Sequence, residues 1–263
     1  MVTLSIITIN LNNANGLQKT IDSVVCQTFA SFEYIVIDGL SNDGSVDVIK
    51  SYEEKISYWV SEADGGIYDA MNKGIKHAKG KYLIFLNSGD VLVDKDTLSE
   101  AVKYMDDCPA VDIFYSDTFF KDQNAAIHLH KHPTNVNVDF LRINQLNHQS
   151  SLIRASLFDE YGLYPHHLKF AADHWLFLTS LVGNKVFMHI PVVLVVYEQG
   201  GLSLTHMDKY RVEADALWLQ IVPAYARDMA LRLDSDKRIK NFKLVKIALA
   251  LSETIQRVLK RNK

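Results

Sequence analysis

Carboxylates and amides recur in four short polar segments of the first 90 residues, each directly after an apolar run typical of a buried strand. Asn10 follows the first run, Asp38 ends the second, Asp64 lies just past the third, and Asn87 to Asp90 follow the fourth. A carboxylate at such a position can accept hydrogen bonds from a base N–H or a ribose hydroxyl. Asp90 also suits a divalent cation, because Mg²⁺ and Mn²⁺ prefer oxygen ligands and commonly take one or two protein carboxylates beside phosphate oxygens.

The spacing of apolar residues indicates why these segments should meet. Strand patterns separated by helical patterns of about 10–15 residues predict βαβ units and a parallel sheet buried on both faces. Because right-handed crossovers bring the carboxyl ends of parallel strands to one edge, the polar segments share the edge where such sheets bind ligands. One segment alone could be ordinary turn chemistry, but four on one edge predict a cleft. After residue 115 the alternation stops, and runs at 118–121 and 126–131 predict a hairpin.

A second group of polar residues lies beyond residue 140, where the strand pattern is weaker. The sequences Asn147-His148-Gln149 and Asp173-His174 stand out there. Asp173 opens an otherwise apolar helix pattern, which is a capping position, but its apolar neighbours also predict a raised pKa and a role as general base. His148 and His174 are possible metal ligands, although lone histidines are more often structural and no zinc-site spacing is present.

The segment around residue 68 combines backbone freedom with charge. Gly65 and the glycine after it allow close approach of the backbone to a ligand. They precede a helix pattern that begins near Tyr68. Asp69 and Lys73, four residues apart on that helix, predict a surface salt bridge. Asp43 is predicted to cap the helix that follows it, and a role in ligand binding is the alternative.

Composition excludes several classes of protein. The chain has 263 residues, of which 48% are hydrophobic and 22% charged, with a net charge of −3. This is too apolar for a disordered chain and too weakly charged for a polybasic nucleic-acid binder, so no nucleic-acid partner is expected. No leader pattern or apolar window of about 18 residues is present, which predicts a cytoplasmic protein. The chain lacks the P-loop, GxSxG and GxGxxG motifs that would favour an NTPase, a serine hydrolase or a Rossmann dehydrogenase.

The last 27 residues differ in charge from the rest. Residues 237–263 contain nine Lys and Arg and one acidic residue, a net charge of +8. Most of the basic positions fall on one helical face and the apolar ones on another. Such a basic amphipathic helix either lies on an anionic membrane surface or packs its apolar stripe on the acidic remainder of the chain.

Taken in chain order, the chain resembles the family-two glycosyltransferases with the GT-A fold, especially bacterial enzymes that build capsule, exopolysaccharide and O-antigen chains. The resemblance rests on SIITINLNN, SVVCQTFASFEYIVIDGLSNDGS, SEADGGIYDAMNKGIKHAKGKYLIFLNSGD, NHQSSLI, and AADHWLFL with the later GGLS. It implies an α/β GT-A fold with a mostly parallel central sheet flanked by helices. The domain at 1–220 would comprise a Rossmann-like nucleotide-sugar-binding half at 1–115 and an acceptor-binding half at 116–220, followed by a helical tail at 221–263.

The resemblance also implies an inverting transfer of sugar from a nucleoside-diphosphate donor, with UDP favoured, to a hydroxyl of a saccharide or lipid-linked acceptor. Asp38 and Asp64 would bind the base and ribose, Asp90 would bind Mn²⁺ or Mg²⁺, and Asp173 would be the general base. The other expected substrate-binding residues are Asn10, Gly65, Tyr68, Asn72, Asn87, Ser88, His148 and Gln149. A lipid-linked acceptor would place the protein peripherally on the inner face of the membrane.

Three positions depart from the family pattern. The metal loop, normally D-x-D, here reads Asn87-Ser88-Gly89-Asp90; Gly39 replaces the second acid after Asp38, and Ala172 precedes Asp173. These departures leave open an alternative, a non-catalytic nucleotide-sugar-binding protein with a degenerate metal loop. A sugar nucleotidyltransferase is a third possibility, but it would need a glycine-rich basic loop that SIITINLNN does not offer.

Overall fold

The computed structural model describes residues 2–198 and 206–222, and strands alternate with helices through its first half. The elements there are β1 (Leu4–Asn10), α1 (Ala14–Val25), β2 (Phe32–Asp38), α2 (Ser45–Ser51), β3 (Tyr58–Ser61), α3 (Ile67–His77), β4 (Tyr82–Asn87), β5 (Val91–Leu92), α4 (Thr97–Asp107) and β6 (Ile113–Ser116). They are followed by β7 (Thr118–Lys121), β8 (Ile127–His130), α5 (Val138–Ile143), β9 (Ser151–Arg154), α6 (Ser156–Tyr161), α7 (Ala172–Val182), β10 (Phe187–Ile190), β11 (Val195–Glu198) and α8 (Met207–Ile221). Short 3₁₀ turns occupy Glu53–Lys55 and His148–Ser150.

Within the described residues, seven strands form the central sheet in the order β10-β6-β9-β4-β1-β2-β3. Strand β9 runs antiparallel to β4 and β6, and the other neighbours are parallel. A smaller sheet has the order β5-β11-β7-β8, in which β7 and β8 form the predicted antiparallel hairpin. The predicted α/β class with a mostly parallel central sheet is therefore confirmed. The antiparallel insertion of β9 was not predicted.

Helices α1 and α3 pack closely against the central sheet. All seven residues of β1 are buried, and α1 buries Leu17, Ile21 and Val24 completely at helical spacing. Full burial of each such side chain stabilises the fold by roughly 1.5–3 kcal/mol. Helix α3 packs so near to β1 that a Cβ on Gly74 would collide with the side chain of Ile7. This close packing holds the C-terminal half of α3 against the sheet.

Strand register brings the predicted site residues to one edge. Asn10 at the end of β1 pairs with Asp38 at the end of β2, and Asp38 pairs with Ser61 at the end of β3. On the other side of β1, Ile9 pairs with Asn87, the last residue of β4. The carboxyl ends of these four strands therefore lie side by side, as the alternation of strands and helices predicts.

The chain divides into two compact units, and the boundary between them falls after Met207. The second unit contains most of helix α8 (Met207–Ile221), in which Leu217 and Trp218 are buried. The basic amphipathic tail predicted at 237–263 and the GGLS loop at 200–203 lie outside the described residues. Among the described helices, none has the length and apolar character that a bilayer span requires.

Candidate active site at the carboxyl edge of the sheet

The carboxylate of Asp38 joins the ends of three strands. Asn10 Nδ2 donates to its Oδ1 at 2.7 Å, Ser61 Oγ donates to its Oδ2 at 2.6 Å, and the hydroxyl and backbone N–H of Ser41 donate at 2.6 and 3.0 Å. Burial would raise the pKa of Asp38, but these hydrogen bonds, chiefly those from Ser41 and Ser61, outweigh it and hold the pKa below its ordinary value. Asp38 is fully buried, so it positions the loops that surround it.

Asn10 and Ser88 extend the same network from β2 to the loop after β4. The Ser88 hydroxyl donates to Asn10 Oδ1 at 2.6 Å and to the carbonyl of Ile9 at 2.9 Å. Asn13, at the N-terminus of α1, donates through Nδ2 to the Ser88 carbonyl at 2.9 Å. Asn10 and Ser88, which are both predicted to bind substrate, therefore contact each other directly. The loop after β4 is held on one side by Asn10 and on the other by Asn13.

Asp64 reaches this edge because the residue after Asp38 is a glycine. A Cβ added to Gly39 would lie 2.7 Å from Asp64 Oδ2 and 3.2 Å from Leu11 Cδ1, and the first distance is shorter than real Cβ contacts. The other carboxylate oxygen of Asp64 accepts the backbone N–H of Gly66 at 2.9 Å. Asp64 is only half-buried. Its carboxylate is therefore held by the Gly66 N–H while the residue stays partly exposed, and its contact with a nucleotide stays a prediction.

Asp90 is a buried carboxylate at the end of the loop after β4. Its Oδ2 accepts the backbone N–H of Asn87 at 2.8 Å, and Gln149 also hydrogen-bonds to it. Burial raises the pKa of Asp90 to about 6, although the Asn87 N–H and the nearby His148 oppose the rise. A buried carboxylate whose negative charge is only partly stabilised by neighbouring donors is suited to bind a cation.

The atoms around Asp90 fit a divalent ion with few protein ligands. The side-chain oxygen of Asn87 is buried and has no hydrogen-bond partner among the described residues. Amide and carboxylate oxygens are ligands that Mg²⁺ and Mn²⁺ accept, and both ions commonly take their remaining ligands from phosphate and water. No group of three or more His, Cys, Asp or Glu side chains within the described ranges forms a complete metal cage. The oxygen ligands that this loop can offer to a divalent ion are those of Asp90 and Asn87.

Asp173 lies at the first turn of α7, and three donors surround its carboxylate. Its Oδ1 accepts the Tyr68 hydroxyl at 2.9 Å and its own helix's His174 N–H at 2.8 Å. Its Oδ2 lies 3.2 Å from His148 Nδ1. Burial would raise the pKa of Asp173, but the hydrogen bonds and charge of His148, followed by the other two donors, lower it. The predicted raised pKa is wrong because Asp173 meets these donors as well as apolar neighbours.

His148 connects Asp173 to the loop after β4. Its Nε2 lies 3.4 Å from Asn87 Nδ2, while Nδ1 faces Asp173. The His148 side chain is 13% exposed and that of Asp173 is 4% exposed. Hydrogen bonds thus link Asp38 through Asn10 to Ser88, and His148 lies between Asn87 and Asp173, while Asp64 lies beside Gly39 at the other end. The predicted acids lie along one rim, with Asp173 at its end.

A cavity adjoins this rim beside the first turn of α3. Its lining includes Gly65, Tyr68, Asn72, Asp69, His166, Lys169 and Phe170. Asn72 is buried, and its amide donates to the carbonyl and accepts from the N–H of Tyr164, both at 2.9 Å. The structure therefore gives Asn72 a positioning task. Tyr68 lines the same cavity but is buried, whereas Gly65 is exposed.

Two expectations about nearby charges have different outcomes. Lys73 does not pair with Asp69 as predicted; its ammonium lies 2.9 Å from Glu62 Oε1, and Asp69 instead accepts the N–H of Gly65 at 2.9 Å. The helix pattern did not show that the loop before α3 folds back over Lys73. Asp43 does not occupy the N-cap position of α2, which is Gly44, but its carboxylate accepts the N–H and hydroxyl of Ser45, the first helical residue.

The sequence matches the family profile "Glycosyl transferase family 2" over residues 5–162. It is 37% identical over 217 residues to an uncharacterized glycosyltransferase of Mycobacterium tuberculosis, and the match covers 81% of each chain. This chain belongs to glycosyl transferase family 2. A PGL/p-HBAD biosynthesis glycosyltransferase of Mycobacterium bovis is 31% identical over 216 residues, covering 78% of this chain and 80% of that one. The chain is therefore a glycosyltransferase, as the sequence motifs predict.

Solved structures confirm the GT-A fold of this glycosyltransferase. S. aureus TarS in complex with UDP-GlcNAc matches with a TM-score of 0.65 at 17% identity, over 95% of this chain and 70% of that one. A longer TarS chain is matched over 43% of its own length. The mannosyltransferase PcManGT from Pyrobaculum calidifontis, in complex with GDP-Man and Mn²⁺, matches with a TM-score of 0.59 at 17% identity, over 95% of this chain and 86% of that one. At this identity the similarity concerns the fold.

Proposed function

We propose that this glycosyltransferase inverts the anomeric centre as it moves a sugar from a UDP-sugar to a hydroxyl of a saccharide or lipid-linked acceptor in surface polysaccharide or glycolipid synthesis. The observation that supports the proposal most is the arrangement of Asp64, Asp38, Asp90 and Asp173 along one rim, which could serve a nucleotide, a cation and a proton acceptor. The UDP-GlcNAc bound to TarS supports the nucleotide class. The similarity to a PGL/p-HBAD biosynthesis glycosyltransferase supports a role in biosynthetic sugar transfer.

The donor occupies the half of the rim formed by β1 to β4 in this proposal. The accessible carboxylate of Asp64 accepts a hydrogen bond from the base or ribose, because a charged acceptor binds such donors strongly. Asp38 acts together with Asn10 by holding the loops around the nucleoside. The backbone of Gly65, which is exposed, lies open to a ligand beside Asp64.

The charged diphosphate lies against the loop after β4, next to Ser88. A divalent ion, Mn²⁺ or Mg²⁺, would be held by the Asp90 carboxylate and the Asn87 side-chain oxygen. When bound there, it supplies positive charge that stabilises the leaving diphosphate. Gln149, which hydrogen-bonds to Asp90, orients the carboxylate for that task.

The acceptor occupies the cavity beside Tyr68, so its hydroxyl approaches the Asp173 end of the rim. In-line attack at the anomeric carbon requires the acceptor oxygen and the leaving diphosphate on opposite sides of the sugar. His148 lies between the two centres, since its Nδ1 faces Asp173 and its Nε2 faces Asn87 in the loop after β4. We propose that the acceptor proton leaves toward the Asp173 centre.

A screen of nucleotide sugars by thermal denaturation tests the proposal. A UDP-sugar should raise Tm when Mn²⁺ is present, because a ligand that binds only the folded state stabilises it. The Asp90→Ala variant should lose the Mn²⁺-dependent part of the shift and the metal-dependent release of UDP. Binding that ignores Mn²⁺ and produces no turnover would favour the alternative, a non-catalytic nucleotide-sugar-binding protein.

The basic tail supports a cytoplasmic position on the inner membrane face in this proposal. Its net charge of +8 over residues 237–263 suits anionic lipid headgroups. A chain truncated after residue 236 should lose binding to vesicles of anionic lipid and retain transfer to a soluble acceptor. Unchanged vesicle binding after truncation would contradict the membrane assignment.

A further inference from the structure

Lys73 on α3 binds the peptide unit that precedes Asp64 in the loop between β3 and α3. Its Nζ donates to the carbonyl of Ala63 at 2.7 Å and lies 2.9 Å from Glu62 Oε1. The Ala63 carbonyl and the Asp64 N–H belong to one planar peptide unit, so a bond to that oxygen also restricts the backbone of Asp64. Lys73 therefore acts on the residue that is predicted to meet the nucleoside.

The burial of Lys73 distinguishes its contacts from those of an ordinary surface ion pair. The Lys73 side chain is 19% exposed, whereas that of Glu62 is 55% exposed. A lysine stem that is withdrawn from water to this extent has few positions open to its ammonium group. The charge of the ammonium also makes its bond to the carbonyl about twice as strong as a neutral hydrogen bond. Lys73 can therefore anchor the loop.

Other hydrogen bonds hold the loop on either side of Ala63. Before it, the Glu62 N–H donates to the carbonyl of the last residue of β2 at 3.0 Å. After it, the Gly65 N–H donates to the Asp69 carboxylate at 2.9 Å. Ala63 itself is exposed, so water can replace the ammonium at its carbonyl. Loss of Lys73 should therefore loosen the middle of the loop and cost the fold little.

We propose that Lys73 is a positioning residue for the sugar donor, which acts through the Ala63 carbonyl on Asp64. This inference rests on the proposed function, in which Asp64 accepts a hydrogen bond from the base or ribose. A loop without its anchor adopts further positions, and the apparent affinity falls with the fraction of chains in which the carboxylate is correctly placed. The effect falls on donor binding and leaves the transfer step unchanged.

The variant Lys73→Met tests the inference, because it removes the ammonium and keeps an unbranched apolar side chain. We expect the affinity for UDP to fall and the donor KM to rise by about tenfold, which corresponds to a loop that is correctly placed in about one chain in ten. kcat should change by less than about twofold, as it does when only uniform binding is lost. Lys73→Arg, which keeps a charged donor, should regain most of the affinity.

Two controls separate this role from a general effect of charge. Lys76→Met makes the same change at an exposed lysine of the same helix, and it should keep wild-type affinity. Uridine, which has no phosphate, should lose affinity for Lys73→Met by the same factor as UDP. In the Asp64→Ala background, Lys73→Met should have almost no further effect on either ligand, because both changes act through one contact.

Thermal unfolding of each variant shows whether affinities are compared between folded proteins. Lys73→Met should unfold within about 3 °C of the wild-type chain, since water replaces the lost contact. If Lys73→Met does not fold, Lys73→Gln takes its place, and the same loss of affinity is expected from its shorter, neutral side chain.

The contrary outcomes are distinct from a failure of the proposed function. Unchanged UDP affinity in Lys73→Met would overturn the inference, and so would an equal loss in Lys76→Met. A loss confined to UDP, with uridine binding retained, would show that the ammonium attracts the diphosphate by charge. Additive losses with Asp64→Ala would show a route that does not pass through that carboxylate. If the wild-type chain bound neither UDP nor any UDP-sugar, the proposed function itself would fail.

Discussion

The contact between Gly39 and Asp64 offers a sharp test of how the donor side is built. The change is Gly39→Ala, which adds one methyl group beneath a predicted nucleotide ligand. That Cβ would lie 2.7 Å from Asp64 Oδ2, while ordinary contacts begin at 3.4 Å, so the carboxylate must move by about 0.7 Å. A displaced carboxylate loses its charge-assisted hydrogen bond to the nucleoside, worth about 1.5–3 kcal/mol.

Such a loss weakens donor binding by roughly tenfold to 150-fold, since 1.4 kcal/mol corresponds to a factor of ten. Titration calorimetry with UDP in the presence of Mn²⁺ measures the change. The control is a double-mutant cycle with Asp64→Ala, because residues that act through one contact do not add. Once Asp64 is removed, Gly39→Ala should have almost no further effect on UDP affinity.

Two results would refute this reasoning. Unchanged UDP affinity in Gly39→Ala would show that Asp64 does not contact the nucleotide or that the loop absorbs the methyl group. Fully additive effects in the double variant would show that Gly39 acts by a route independent of Asp64. Thermal unfolding of each variant confirms that affinity is compared between folded proteins.

Three further predictions concern stability. The lowered pKa of Asp38 means that the folded chain holds the charged carboxylate more strongly than the unfolded chain does. Asp38 therefore stabilises the fold above about pH 4, and this contribution is lost as the pH falls through the lower folded pKa. In urea titrations, Asp38→Asn should lower the free energy of unfolding by about 1.5–3 kcal/mol at pH 7. The variant should also show a weaker loss of stability in acid. Asp90 has the opposite sign: its folded pKa of about 6 lies above the unfolded value of about 3.9, so its charge destabilises the metal-free fold above pH 6 by about 2–3 kcal/mol. Asp90→Asn should therefore raise unfolding free energy at pH 8 in EDTA and have little effect near pH 4, and a loss of stability at pH 8 would contradict this. Asn72→Ala should lower the unfolding free energy by about 1–3 kcal/mol, because it leaves the backbone N–H and carbonyl of Tyr164 without their partner, and unchanged urea unfolding would show that water replaces the amide.

The sequence predicts the edge of the sheet well because its signals are local. Apolar runs that end in Asp38 or Asn87 predict both the strands and the side of the sheet where they terminate. Asp43 accepts hydrogen bonds from Ser45 two residues later, a local contact that a turn pattern indicates. Strand β9 could not be placed in this way, since its position between β4 and β6 depends on pairings with residues far along the chain.

Roles that depend on distant partners were harder to predict. Ser61 holds Asp38 only because the register of β2 and β3 aligns them, and no local pattern gives a register. The pKa of Asp173 depends on His148, which is 25 residues away, and on Tyr68, which is 105 residues away. The apolar neighbours of Asp173 were visible in the sequence, but its three hydrogen-bond donors were not.

The release of nucleoside diphosphate from a panel of nucleotide sugars tests the central claim most directly. The claim is that the rim from Asp64 to Asp173 binds an activated sugar and a cation and promotes transfer. With Mn²⁺ present, one UDP-sugar should be consumed, and both Asp90→Ala and Asp173→Asn should abolish most of the release. If no UDP-sugar is consumed, or if both variants release UDP at the wild-type rate, the rim is not the catalytic site.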